Sequence, residues 1–172
     1  EDELQSYAIK RMEKFISGKG RYLLGWDEIL EGGLAPGARV MSWRGEQGGI
    51  DAARQNHDVI MTPGGTCYFD KYQQNPAGEP EAIGGFLPLQ KVYEYEPMPA
   101  VLEKDKQQYI KGAQANLWTE YVPTQEHAAY MIFPRIIALS EVVWSNPAAK
   151  NWAQFQEKLT AHYTLLQAFN IN

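Results

Sequence analysis

Tyr22-Leu23-Leu24-Gly25-Trp26-Asp27-Glu28-Ile29-Leu30 sets a Trp at the end of a short apolar run and follows it at once with two carboxylates. The run predicts a strand over 22–26, and Asp27 to Leu30 predicts a short helical turn closed by Gly32-Gly33. The same device returns in Val40-Met41-Ser42-Trp43-Arg44-Gly45 and in Asn116-Leu117-Trp118-Thr119-Glu120. A large apolar ring beside polar groups at successive strand ends offers a face for stacking and acceptors for hydroxyls, as a pocket for a sugar requires. Any one of these Trp residues would equally well pack into a core. Three at strand ends point instead to a shared pocket, because parallel α/β barrels keep their active-site residues at the C-terminal ends of strands. Trp144 and Trp152 lie in helical patterns and read as packing.

Outward from this stretch the chain alternates. Leu4, Tyr7, Ala8, Arg11, Met12, Phe15 and Ile16 recur at helical spacing before Gly18-Lys19-Gly20. Beyond the first strand, Ala35-Pro36-Gly37 is a loop, Arg39 to Trp43 a second strand, residues 48–56 a helix, and Asp58 to Thr62 a third strand. Residues 71–105 are rich in Pro, Gly, Tyr and Glu without a sustained period. They predict a long loop carrying one short helix near Pro88 to Tyr93, and loops of that length usually serve function. A fourth strand is expected over Ile110 to Trp118, then a helix over Glu126 to Trp144 that Pro134 breaks or kinks, and a last helix over Trp152 to Phe169. Helix, four βα-type units and a closing helix give an α/β fold with parallel strands. A whole (β/α)₈ TIM barrel takes about 250 residues, so four strands amount to half of one.

The 172 residues are most economically one domain, and 44% hydrophobic with 12% aromatic residues argues for a folded chain over a disordered one. With 16 Lys and Arg against 21 Asp and Glu the net charge is −5, and no basic cluster offers a surface to nucleic acid. No run reaches the roughly 20 apolar residues of a membrane helix, and the acidic start Glu1-Asp2-Glu3 is unlike a signal peptide. The single Cys67 has no companion at metal-binding spacing, and nothing near it in sequence would activate it as a nucleophile. His57, His127 and His162 read as surface or capping residues. Arg44 suits either a pocket carboxylate or the anchoring of its own loop. Tyr72, Tyr93 and Tyr95 would pack the long loop onto the barrel or contact an aglycone.

Taken together, Gly25-Trp26-Asp27-Glu28-Ile29-Leu30, Val40 to Gly45, Tyr68-Phe69-Asp70 and Gln114-Ala115-Asn116-Leu117-Trp118-Thr119-Glu120 resemble, in order and spacing, the family 20 glycoside hydrolases, the β-N-acetylhexosaminidases. The resemblance runs from about Leu4 to the helix that follows Pro134-Arg135. It implies that residues 1–172 are the C-terminal half of a catalytic (β/α)₈ barrel, with strands five to eight, and that the missing N-terminal half is a partner. By resemblance Trp26, Trp43 and Trp118 wall the pocket for the substrate's N-acetyl group. Tyr68 holds the acetamido oxygen, and Asp70 and Glu120 accept hydrogen bonds from sugar hydroxyls. The implied substrates are glycans ending in N-acetylglucosamine or N-acetylgalactosamine, in periplasmic, secreted or lysosomal settings, with no metal or organic cofactor.

The family's reaction is substrate-assisted: the acetamido oxygen attacks the anomeric carbon while a protonated Glu delivers a proton to the leaving oxygen, an exception to the usual two-carboxylate scheme. That Glu follows an Asp in a His-x-Gly-Gly-Asp-Glu type motif, and no such motif stands in these residues. The pair is expected just upstream of Glu1. Asp27-Glu28 is the one Asp-Glu pair that follows a strand; it reads first as helix capping, and only secondarily as a substitute acid. Two non-catalytic alternatives follow, a sugar-binding module and a half-barrel folding unit that self-associates into a homo-oligomer through its unpaired sheet edges.

Overall fold

Four short strands pair side by side, all parallel: β1 (Leu24–Trp26), β2 (Arg39–Ser42), β3 (Val59–Met61) and β4 (Ile110–Ala113). This computed structural model describes residues 1–169 and 171. The chain forms two compact units, Glu1–Gly64 with Pro97–Gln114, and Gly65–Glu96 with Ala115–Asn172.

The first unit holds the whole sheet. Helix α1 (Asp2–Ser17) precedes β1, a 3-10 turn over Asp27–Leu30 follows it, and α2 (Gln47–Arg54) connects β2 to β3. Val40, Val59 and Met61 are fully buried, as strands covered by helices require. Helix α2 lies close over β2 and β3 because Gly49 presents no side chain there. A Cβ at Gly49 would stand 2.6 Å from Met61 Sδ and 3.2 Å from Ser42 Cβ. The buried Ser42 hydroxyl accepts from the Gly49 amide at 2.8 Å and donates to the Gly45 carbonyl at 2.7 Å, tying the helix start to the strand end. Arg54 pairs with Glu103 at 2.8 Å on the surface of this unit.

The second unit is mainly helical: α3 (Leu89–Glu94), α4 (Gln125–Ile132), α5 (Arg135–Trp144) and α6 (Trp152–Ala168). Thr124 caps α4 through the His127 amide and Asn151 caps α6 through that of Gln154, as N-cap residues do. The break expected at Pro134 falls between α4 and α5, where the Phe133-Pro134 peptide is cis. Tyr93 and Tyr95 are buried. The Tyr93 ring stacks on Phe155 at 4.6 Å between centroids and its hydroxyl accepts from the Asn151 amide, so the packing role holds for it.

Two expectations need correction. The fourth strand ends at Ala113 instead of Trp118, and residues 114–118 continue as irregular chain that Asn116 ties to Tyr68 through an isolated bridge. Residues 71–105 carry one short helix, α3, close to where it was expected; 71–96 belong to the second unit and 97–105 to the first. Trp144 does not pack, being 92% exposed at the last position of α5, whereas Trp152 stacks on Phe155 as expected. Among the described residues no helix is long and apolar enough to cross a membrane.

Candidate functional site

In the first unit, Trp26 ends β1 and Trp43 directly follows β2, which puts both indoles at the C-terminal edge of the sheet. Both rings are half-buried. The carboxylates after Trp26 explain how Trp43 is held. Asp27 is buried, and its Oδ2 accepts from the backbone amides of Trp43 at 2.9 Å and Arg44 at 3.1 Å. Its Oδ1 pairs with Arg44 Nε at 2.5 Å, and Arg44 Nη1 reaches Glu31 at 2.7 Å. Hydrogen bonds to Glu31 and Asp27 raise the Arg44 guanidinium above its ordinary value. Glu28 accepts the Trp43 indole N–H with both oxygens at 3.0 Å.

This corrects the sequence reading of the pair. Asp27 and Glu28 both stand in the first turn of the 3-10 helix, as negative charge at a helix start should, but neither side chain caps it; they are the acceptors that fix the Trp43-Arg44 loop. Arg44 likewise proves to be a loop anchor. The signal for this was the pairing of one acceptor-rich segment, 27–31, with one donor-rich segment, 43–44.

In the second unit, Tyr68, Asp70, Trp118 and Glu120 come together. The rings of Tyr68 and Trp118 lie 6.3 Å apart at 58°, a tilted pair, and Trp118 is 41% exposed. The pairing follows from backbone: the Asn116 amide donates to Cys67 O at 2.8 Å and the Phe69 amide to Asn116 O at 2.7 Å, which ties the two segments together. Asp70 is 4% exposed, and its buried Oδ1 has no hydrogen-bond partner among the described residues. Burial pushes its carboxyl above the usual Asp range and Glu120 adds to that, while Lys71 and Arg135 pull it down. Glu120 is exposed and shares a pocket of 310 Å³ with Pro80, Glu81, Tyr121, Pro123 and His127. Cys67 is buried and its thiol is pushed up to about 11 by that burial, which disfavours the thiolate a nucleophile needs. His57 Nδ1 donates to Ala38 O at 2.7 Å, and His162 is exposed. Among the described residues no cluster of three His, Cys, Asp or Glu is arranged to hold a metal ion.

Sequence reasoning missed the residues that brace this second group. Arg135 is fully buried at the start of α5, and Gln73 donates to the carbonyls of Tyr130 and Phe133. Glu79 accepts from the Tyr130 hydroxyl, whose proton is held up to about 12 by burial and that bond. A lone Arg ahead of the apolar run Ile136-Ile137-Ala138-Leu139 was the available sign of a buried cation.

Residues 1–147 match the sequence model of the glycosyl hydrolase family 20 catalytic domain. The chain belongs to glycosyl hydrolase family 20. A β-hexosaminidase of Porphyromonas gingivalis is 54% identical over 173 residues, spanning 100% of this chain and 22% of that protein. A β-hexosaminidase of Vibrio furnissii is 37% identical over 80% of this chain and 23% of its own length. The chain thus spans less than a quarter of these two relatives. Among solved structures, the family 20 exo β-N-acetylglucosaminidase of Vibrio harveyi in complex with N-acetylglucosamine is similar with a TM-score of 0.88 and 32% identity, over 99% of this chain and 27% of that one. The parallel sheet with its flanking helices is therefore part of a family 20 α/β barrel.

Proposed function

We propose that this chain supplies the sugar-binding half of a β-N-acetylhexosaminidase that removes terminal N-acetylglucosamine or N-acetylgalactosamine by substrate-assisted retention. The observation that carries the reading is the Tyr68–Trp118 ring pair, with the buried Asp70 and the exposed Glu120 in the same unit and in the order of the family's motifs. Trp118 gives an apolar face to the N-acetyl methyl, and the Tyr68 hydroxyl holds the acetamido oxygen as it approaches the anomeric carbon. Asp70 and Glu120, when ionised, are acceptor-only partners for sugar hydroxyls. Trp26 and Trp43 take the family's other two pocket-wall roles, residue by residue, with Glu28 fixing the ring of Trp43.

The proton donor and the carboxylate that orients the acetamide nitrogen come from an Asp-Glu pair outside these residues. A site without its general acid loses roughly 10² to 10⁴ in rate. Hydrolysis of an aryl β-N-acetylglucosaminide tests the proposal. A polypeptide joining these residues to barrel strands one to four should turn the substrate over and the 172-residue chain alone should be inert. Turnover by the chain alone would place an acid within it and reject the division of labour.

A further inference from the structure

The guanidinium of Arg135 is fully buried, yet it donates to backbone carbonyls, and among the described residues no carboxylate is hydrogen-bonded to it. Nη1 donates to Lys71 O at 2.9 Å and Leu87 O at 3.2 Å, Nη2 to Phe69 O and Met131 O, and Nε to Met131 O at 3.2 Å. Its carbon lies 5.0 Å from the Phe69 ring centroid. A buried cation without a bonded counter-ion is expensive, so the site is built around its five fixed donors.

Two of those acceptors, Phe69 O and Lys71 O, flank Asp70 on either side. Of the other two, Met131 O lies one turn before Arg135 and Leu87 O belongs to the far end of the 72–87 loop, whose neck is closed by the Leu87 amide donating to Tyr72 O at 2.9 Å. One side chain therefore grips the carbonyls of the two residues that flank Asp70 and the returning strand of the loop. Asp70 itself presents a buried oxygen, Oδ1, that accepts nothing from the described residues.

We propose that Arg135 is the positioning residue of this site, orienting the Tyr68-Phe69-Asp70 segment so that the Asp70 carboxylate meets a sugar hydroxyl. The assignment rests on the sugar-binding role given to Asp70 above. Arg135 touches no substrate and acts through the backbone. Lys at this position keeps a positive charge but loses the planar fork that reaches separate carbonyls together.

The test uses the 172-residue chain, its Arg135→Lys and Asp70→Asn variants and the double variant, in two measurements. Amide hydrogen exchange without ligand should rise about tenfold at residues 69–73 and 87–88 in Arg135→Lys while α6 is unchanged. Binding of N-acetylglucosamine, followed by protein-observed NMR, should weaken about tenfold in Arg135→Lys but less than about twofold further when Asp70→Asn is already present, because the two act as a unit. Unchanged exchange at 69–73, or a full loss of affinity in the Asp70→Asn background, overturns the assignment. If Arg135→Lys loses its helical circular dichroism, Arg135→Gln goes through both measurements, and collapse of both variants makes Arg135 a folding residue and overturns it too. Absence of sugar binding by the parent chain with the exchange result intact removes the proposed function and supports the clamp.

Discussion

Both carboxylate oxygens of Glu28 accept the single indole N–H of Trp43, each at 3.0 Å, so the ring that follows β2 is oriented by the residue two places beyond the end of β1. Glu28→Gln keeps an oxygen acceptor and should cost under about 1 kcal/mol, whereas Glu28→Ala should cost about 1 to 3 kcal/mol and release the ring. Urea denaturation measures the first, and the line shape of the Trp43 indole N–H in NMR measures the second. Equal effects of the two variants would show that the charge, not the acceptor, matters.

Asp27 holds two backbone amides and a guanidinium from inside the protein. Asp27→Ala leaves those amides without their acceptor and should destabilise the chain by about 3 kcal/mol. Asp27→Asn, retaining one carbonyl oxygen, should lose less. A denaturation midpoint unmoved in Asp27→Ala would refute the anchoring role.

The raised Asp70 carboxyl fixes the sign of a pH dependence. The folded chain holds this proton more tightly than the unfolded chain does. The cost of burying the charge is therefore absent below the ordinary Asp value of about 3.9, grows as pH rises toward the folded value, and is fully present above it. Asp70→Asn should thus stabilise the chain at pH 7 relative to the parent and match it near pH 3. Sugar binding runs the opposite way, since the ionised acceptor is lost as pH falls through the raised value. A parent affinity that stays constant down to pH 4 would contradict the role given to Asp70.

Cys67 is buried and its thiol is pushed up to about 11, so thiolate is scarce at pH 7.5. N-ethylmaleimide should leave it unmodified in the native chain and label it fully in denaturant, as read by intact mass. Rapid native labelling would mean that the segment before Tyr68 opens readily.

Among the described residues strands β1 and β4 each pair on one side only. Open parallel edges recruit further strands, so the chain should associate at micromolar concentration in light scattering and should stop doing so when joined to barrel strands one to four. A monodisperse monomer would count against the half-barrel proposal.

The alternation of β1, α2 and β3 was legible because each element has a length and pattern that its own residues dictate. Trp26 and Trp43 were placed correctly at strand ends for the same reason. The fourth strand was read too long because Gln114 to Trp118 is apolar enough to be a strand, and what ends β4 is the pairing of Asn116 with Tyr68 and Cys67, a contact across nearly fifty positions. Asp27 and Glu28 do place negative charge in the first turn, but the capping bond expected of them is absent: local rules see only the turn they begin, whereas their partners are at Trp43 and Arg44. Arg135 escaped for a related reason: its acceptors are carbonyls, which every sequence has everywhere.

Trp144, which stands almost wholly in solvent at the end of α5, sets a practical limit on optical work. Intrinsic fluorescence of this chain sums five indoles, and one of them emits as it would in water whatever happens at the other four. A ligand that quenches Trp118 would therefore be read against a constant, red-shifted background. Trp144→Phe removes that background without touching a buried contact, and it is the form of the chain in which the remaining indoles can report.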